Sequence, residues 1–219
     1  MRDAYFDQLD SIVDELVAMT HDVQEAVARA TRALLTADAE IAEQVISDDA
    51  VIDTARERVE KRSFELLALQ QPVASDLRML VAGLRMVADL ERMGDLSVHV
   101  AKVARLRVPQ LAVPREIVPT IERMAQVAEK MVGTVAGIIA ERDVDGARRL
   151  EEDDEEMDQL RRSSFRLMLD DSWPHGVEPA VDIALLGRYY ERIADHAVSL
   201  ARRVVYLVTG ETVTTVDHL

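Results

Sequence analysis

Four pairs of carboxylates stand four residues apart in this sequence: Asp49 with Asp53, Glu91 with Asp95, Asp154 with Asp158, and Glu191 with Asp195. On a helix such partners point the same way, one turn along. Carboxylates projected from facing helices toward one line lose solvation and repel one another, which raises their pKa values unless positive charge arrives. A cation is one source of that charge. The donors are all oxygen, with no Cys in the chain and no His within the pairs, so the set suits hard or borderline ions: iron, manganese, magnesium, calcium or zinc. Arginine is the other source. Arg92 and Arg192 adjoin the glutamates, and Arg56 and Arg161 lie beyond the aspartates. Interhelical salt bridges to them would leave a metal-free helical scaffold or adaptor.

With 41 acids in 219 residues, about seven or eight such pairs arise by chance, so a lone pair carries no weight. The weight lies in recurrence, because both pairs of the first half reappear at equivalent places in the second. His196 follows Asp195 and could extend the cluster, although a single helical histidine is more often a structural residue. The six successive acids Glu151 to Glu156 read as a solvated face, with a docking surface for basic segments as the sharper alternative. Trp173, between Pro174 and Gly176 on one side and a helix end on the other, reads as a plug over the end of a bundle.

Helices must hold these pairs in place. Residues 1 to 71 contain neither Pro nor Gly, and apolar residues recur on one helical stripe at Leu9, Ile12, Leu16, Met19, Val23, Val27 and Leu34. The first helix is expected to run to about Leu35. Thr36-Ala37-Asp38 offers a cap for a second, whose stripe Ile41, Val45, Ile52, Val59 and Leu66 leads to the Gln70-Gln71-Pro72 turn. A third begins near Pro72 to Ser75 and runs to roughly Arg105. Glu91 lies seven residues from both Leu84 and Val98, which places it on the inward stripe. Helices of this length are rods of roughly 45 to 50 Å, and short turns between them make an antiparallel bundle.

Val108 to Pro119 holds three prolines and reads as a linker. The pattern then restarts. A shift of 105 residues lays Ile12, Leu16, Met19, Val27 and Leu34 over Ile117, Ile121, Met124, Val132 and Ile139, and Asp38 over Asp143. By the third helix the shift is 100, with Glu91-Arg92-Met93-Gly94-Asp95 over Glu191-Arg192-Ile193-Ala194-Asp195. The expected fold is all-α, two tandem antiparallel three-helix bundles related by an internal repeat. The expected divisions are 1–107 for the first bundle, 108–119 for the linker, 120–209 for the second bundle and 210–219 for a loose tail.

Composition removes other classes. Without cysteine there are no disulfides, zinc-thiolate sites or iron-sulfur clusters. A net charge of -15 and a pI near 4.7 repel phosphate backbones, so direct nucleic-acid binding is not expected. The first residues lack a basic region followed by an apolar run, and no stretch reaches the length of a membrane span, so a soluble cytoplasmic protein is expected. A di-iron oxidase would draw on Glu-x-x-His motifs, and none is present. No glycine-rich phosphate loop or Ser-His arrangement supports catalysis.

The turn Leu69-Gln70-Gln71-Pro72-Val73-Ala74-Ser75-Asp76-Leu77-Arg78 and the two third-helix motifs, Asp89 to Asp95 and Tyr190 to His196, resemble those of the PhoU family over nearly the whole chain. The second unit departs from the pattern in having Ala194 for Gly94 and in lacking the Gln-Gln-Pro-Val turn. The resemblance implies paired three-helix bundles with metal on their surface, held here by Asp49, Asp53, Glu91 and Asp95 and by Asp154, Asp158, Glu191 and Asp195. It further implies a non-enzymatic regulator that damps the phosphate-starvation response. Its expected partners are the phosphate transporter's ATPase subunit and a sensor histidine kinase, with a homodimer as its own assembly and the membrane reached only through partners.

Overall fold

A computed structural model of the chain describes residues 2–211, leaving the side chains of residues 2–4, 70 and 152–154 outside the description. Six helices follow one another: α1 (Arg2–Thr36), α2 (Ala39–Gln70), α3 (Ser75–Arg107), α4 (Val118–Glu141), α5 (Val144–Met168) and α6 (Val177–Thr209). Their boundaries have local causes. The Asp38 side chain accepts from Ile41 N at 3.0 Å and caps α2, and Asp143 accepts from Gly146 N at 2.9 Å and caps α5, each satisfying a donor that the first helical turn leaves orphaned. Gln71 and Arg142 end α2 and α4 in the left-handed region, as Gly210 ends α6.

Most of the stripe read from the sequence is buried: Leu9, Ile12, Leu16, Met19, Val23, Val27 and Leu34 on α1, and Val45, Ile52, Val59 and Leu66 on α2, with Ile41 partly buried at its start. Helices α1, α2 and α3 pack on one another. In the second triplet α6 packs on both α4 and α5, which also meet each other. The two triplets lie side by side through α1 against α4 and α3 against α6, so α2 and α5 are the outer helices. One continuous apolar core runs through both. Residues between α3 and α4 tuck onto it through buried Ala112, Val113 and Ile117. Tyr190, fully buried, reaches from α6 to Thr31 on α1 with a hydroxyl contact of 2.8 Å.

Polar contacts tie α3 to α6 as well. Arg107 donates to both oxygens of Asp182, at 2.6 and 3.1 Å, and to Glu178. The rings of His99 and Tyr189 stack with centroids 5.2 Å apart. Of the expected tail, Gly210 and Glu211 are described, and residues 212–219 lie outside the described residues. No described helix is long and apolar enough to cross a membrane.

Candidate metal centres

The first carboxylate set straddles α2 and α3. Asp49 and Glu91 are half-buried, whereas Asp53 and Asp95 are exposed. Glu91 therefore lies at the margin of the inward stripe rather than on it. The further turn to Asp95 advances about 40 degrees around the helix, which carries that side chain out to solvent. Arg56, whose counterpart in the second unit holds a glutamate, turns along its own helix to Glu60 at 3.4 Å. Among the described residues Asp53, Glu91 and Asp95 accept no hydrogen bond and no ion pair, and Arg92 makes none. The nearby Asp48 is neutralised by Arg29 at 2.7 Å.

Asp49 records the strain of this crowd. Burial first, then the carboxylates of Asp95, Asp53 and Glu91, push its pKa up to about 6, with Lys102 offsetting part of the rise. Its carboxylate lies against the backbone of α3 at Gly94, where a β-carbon would stand 3.2 Å from Asp49 Oδ1 and 2.9 Å from the Ile52 Cδ1. A cavity of about 180 Å³ opens beside it, lined by Asp22, Glu25 and Asp49 over apolar Val45, Ile52 and Val98. As the side chains stand, no three His, Asp or Glu among the described residues converge closely enough to hold an ion. The chemistry of the donors nevertheless fits one: four carboxylates that make no ion pair among the described residues, with Lys102 only partly offsetting the crowding at Asp49, and one of them resting in a cradle that only glycine leaves open.

The second set is arranged differently. Glu191, 8% exposed, accepts from Arg161 Nη1 at 3.0 Å and from Arg188 Nη1 at 2.6 Å, one arginine on each of its oxygens. Asp158 is paired with Arg162 at 3.1 Å. Asp195 is exposed, yet partial burial of its carboxyl, followed by Glu191, raises its pKa, against the lowering effect of Arg188, Arg192 and His196. The side chain of Asp154 lies outside the described residues. Among its described residues, the most buried oxygens, those of Glu191, are already held by guanidinium groups, which leaves them no free charge to offer a cation.

Sequence reasoning weighed Arg161 but missed Arg188, three residues before Glu191 on the same helix. That spacing was the available signal. His196 turns away from the second set, and its Nδ1 lies 3.1 Å from Asp89 Oδ1 on α3. Asp89 also accepts from Arg203 Nε at 2.8 Å and Ser199 Oγ at 3.3 Å. Trp173 donates through Nε1 to the Gly176 carbonyl at 2.7 Å and packs at the edge of the core.

Comparison with known proteins adds to this geometry. The PhoU domain family matches residues 16–104 and 121–204. The chain is 47% identical over 210 residues to a protein of Mycobacterium tuberculosis named phosphate-specific transport system accessory protein PhoU homolog 2, covering 96% of this chain and 99% of that one. A PhoU homolog of Aquifex aeolicus is 34% identical, covering 95% of this chain and 94% of its own. The crystal structure of PhoU from Pseudomonas aeruginosa superposes with a TM-score of 0.86 at 30% identity, covering 94% of this chain and all of that one.

Proposed function

The chain belongs to the PhoU family, and on that premise we propose that it is a cytoplasmic, non-enzymatic regulator of phosphate uptake and phosphate-starvation signalling. Its first carboxylate set, Asp49, Asp53, Glu91 and Asp95, holds a hard or borderline metal ion: iron, manganese, magnesium, calcium or zinc. Its helical faces dock the ATPase subunit of a phosphate transporter, a sensor histidine kinase and a second copy of the chain. The observation that carries this reading is that, among the described residues, no cation pairs with Asp53, Glu91 or Asp95 while Asp49 is crowded upward in pKa beside them. A bound ion supplies positive charge between α2 and α3. The chain's own part is to hold those two helices in register, with half-buried Asp49 and Glu91 beside exposed Asp53 and Asp95.

Two measurements test the proposal. Metal analysis of protein purified without chelator should find metal in wild type and a loss of it in Glu91→Ala/Asp95→Ala, with helicity by circular dichroism largely kept. Co-purification should recover the transporter ATPase and the sensor kinase in amounts that change between high and low phosphate. If neither partner is recovered at either phosphate level, the signalling role fails. A metal-free scaffold is the second reading, favoured by the guanidinium clasp on Glu191. Wild type that carries no metal under any growth condition would select it.

A further inference from the structure

We propose that the two carboxylate sets have diverged in kind, so that the first unit alone binds metal and the second carries in its place a permanent arginine clasp on Glu191. The inference rests on the cation reading of the first unit and divides what the repeat makes look equal.

Four differences between the repeats produce the divergence, three acting through contacts in the structure and the fourth through an added methyl group. Position 188 is Arg where its counterpart, position 88, is Ala, and this added guanidinium reaches Glu191 Oε2 at 2.6 Å. Arg56 and Arg161 are counterparts, and both bury an Nε without a hydrogen-bond partner. They diverge at the guanidinium tip. Glu60 draws Arg56 along α2. Its counterpart is Phe165, which offers a ring 5.5 Å from the Arg161 guanidinium carbon and no charge, leaving Arg161 to cross to Glu191 at 3.0 Å. Position 162 is Arg where position 57 is Glu, and it neutralises Asp158. Finally, Ala194 places a methyl where Gly94 leaves the space against which Asp49 rests. Each change moves the second set toward neutrality or closes room beside it. To bind an ion there, the protein would have to expel two guanidinium groups from a carboxylate that is 8% exposed, exchanging formed charge-assisted bonds for new ones.

The experiment counts Mn(II) bound to the full-length chain after chelator treatment and dialysis, by the loss of the free-ion electron paramagnetic resonance signal. Wild type should show one class of bound Mn(II). Glu91→Gln/Asp95→Asn should lower its affinity about tenfold or more, and Asp158→Asn/Asp195→Asn, which leaves the Glu191 clasp intact, should change nothing. Arg161→Gln/Arg188→Ala should create a second class of site that Glu191→Gln then removes. If Asp158→Asn/Asp195→Asn removes a share of the ion comparable to that lost in the first-unit variant, the divergence is refuted while the cation reading stands. Wild type that binds no Mn(II), iron or zinc refutes both together, so the two failures are told apart.

Discussion

Asp89 on α3 and Arg203 on α6 lie 2.8 Å apart, and their contact ties the two halves at a place where the repeat is broken. Asp89 is 8% exposed and also receives His196 and Ser199. The positions matching Asp89 and Ser199 in the other repeat are Tyr189 and His99, which meet across the same pair of helices as stacked rings. One side of the α3–α6 seam is therefore ionic and the other aromatic.

Asp89→Ala should loosen that seam. It strands Arg203 without a countercharge and takes the hydrogen-bond partner from His196 and Ser199, at a cost of about 2–4 kcal/mol, somewhat under that of a fully buried pair because Arg203 keeps partial exposure. Burial alone would raise the pKa of Asp89, but hydrogen bonds from His196 and Arg203 outweigh it and hold the carboxyl below its ordinary range. A depressed folded pKa contributes stability that is present above the unfolded value and is lost as pH falls through the folded one. The wild-type advantage over Asp89→Ala in urea midpoints should thus shrink below about pH 4, and an advantage that grows toward acid would contradict the assignment.

Asp49 has the opposite sign. Its folded pKa is raised to about 6 from 3.8, so the native state takes up its proton first. The penalty is full at neutral pH and fades as pH falls through 6 toward 3.8. In chelator at pH 7, Asp49→Asn should stabilise the protein by about 1–2 kcal/mol after solvent screening is allowed for, and at pH 4 by almost nothing. In excess Mn(II) the order should reverse, because only wild type gains the full binding free energy. Urea unfolding at two pH values with and without the ion checks all of this.

Much of the fold was written in periodicity. The buried stripes of α1 and α2 and the cap at Asp38 could be read directly, with Asp143 as its repeat counterpart, because a helix's buried face and its first turn are set by residues close in sequence. The seam between the halves was not. Asp89, His196 and Arg203 meet only because α3 lies against α6, and no local spacing carries that. At the carboxylate sets the sequence located the acids and left their neutralisation open. The choice depends on which way a flexible guanidinium turns: Arg56 has Glu60 one turn away, and Arg161 has Phe165 there. The differing residues were visible, but the rotamers they select were not.

Substituting the paired glutamates should expose that asymmetry as stability. Glu191→Gln leaves Arg161 and Arg188 facing a neutral amide. It should cost about 1–3 kcal/mol, less than a fully buried pair because both arginines keep partial exposure. Glu91→Gln removes one of several mutually repelling acids and should be neutral or mildly stabilising without metal. A double-mutant cycle of Glu191→Gln with Arg188→Ala isolates the pair, and equal costs for the two glutamine variants would show that the repeats are neutralised alike.

Gly94→Ala separates packing from ion binding at a single methyl group. The new β-carbon would meet the Ile52 Cδ1 at 2.9 Å and Asp49 Oδ1 at 3.2 Å. The tip of Ile52 can rotate away, an overpacking cost of about 1 kcal/mol, which the better helix propensity of Ala offsets by about the same amount. Stability should change little. Asp49 must shift all the same, because the methyl occupies the place its oxygen rests against, and Mn(II) affinity should fall by about tenfold. The reciprocal Ala194→Gly should cost about 1 kcal/mol of helix propensity and leave bound Mn(II) unchanged, since the carboxylates on that side remain held by arginine. Unfolding midpoints and Mn(II) titrations on the two variants distinguish the effects, and a Gly94→Ala protein that binds the ion as wild type does would remove Asp49 from the ligand set.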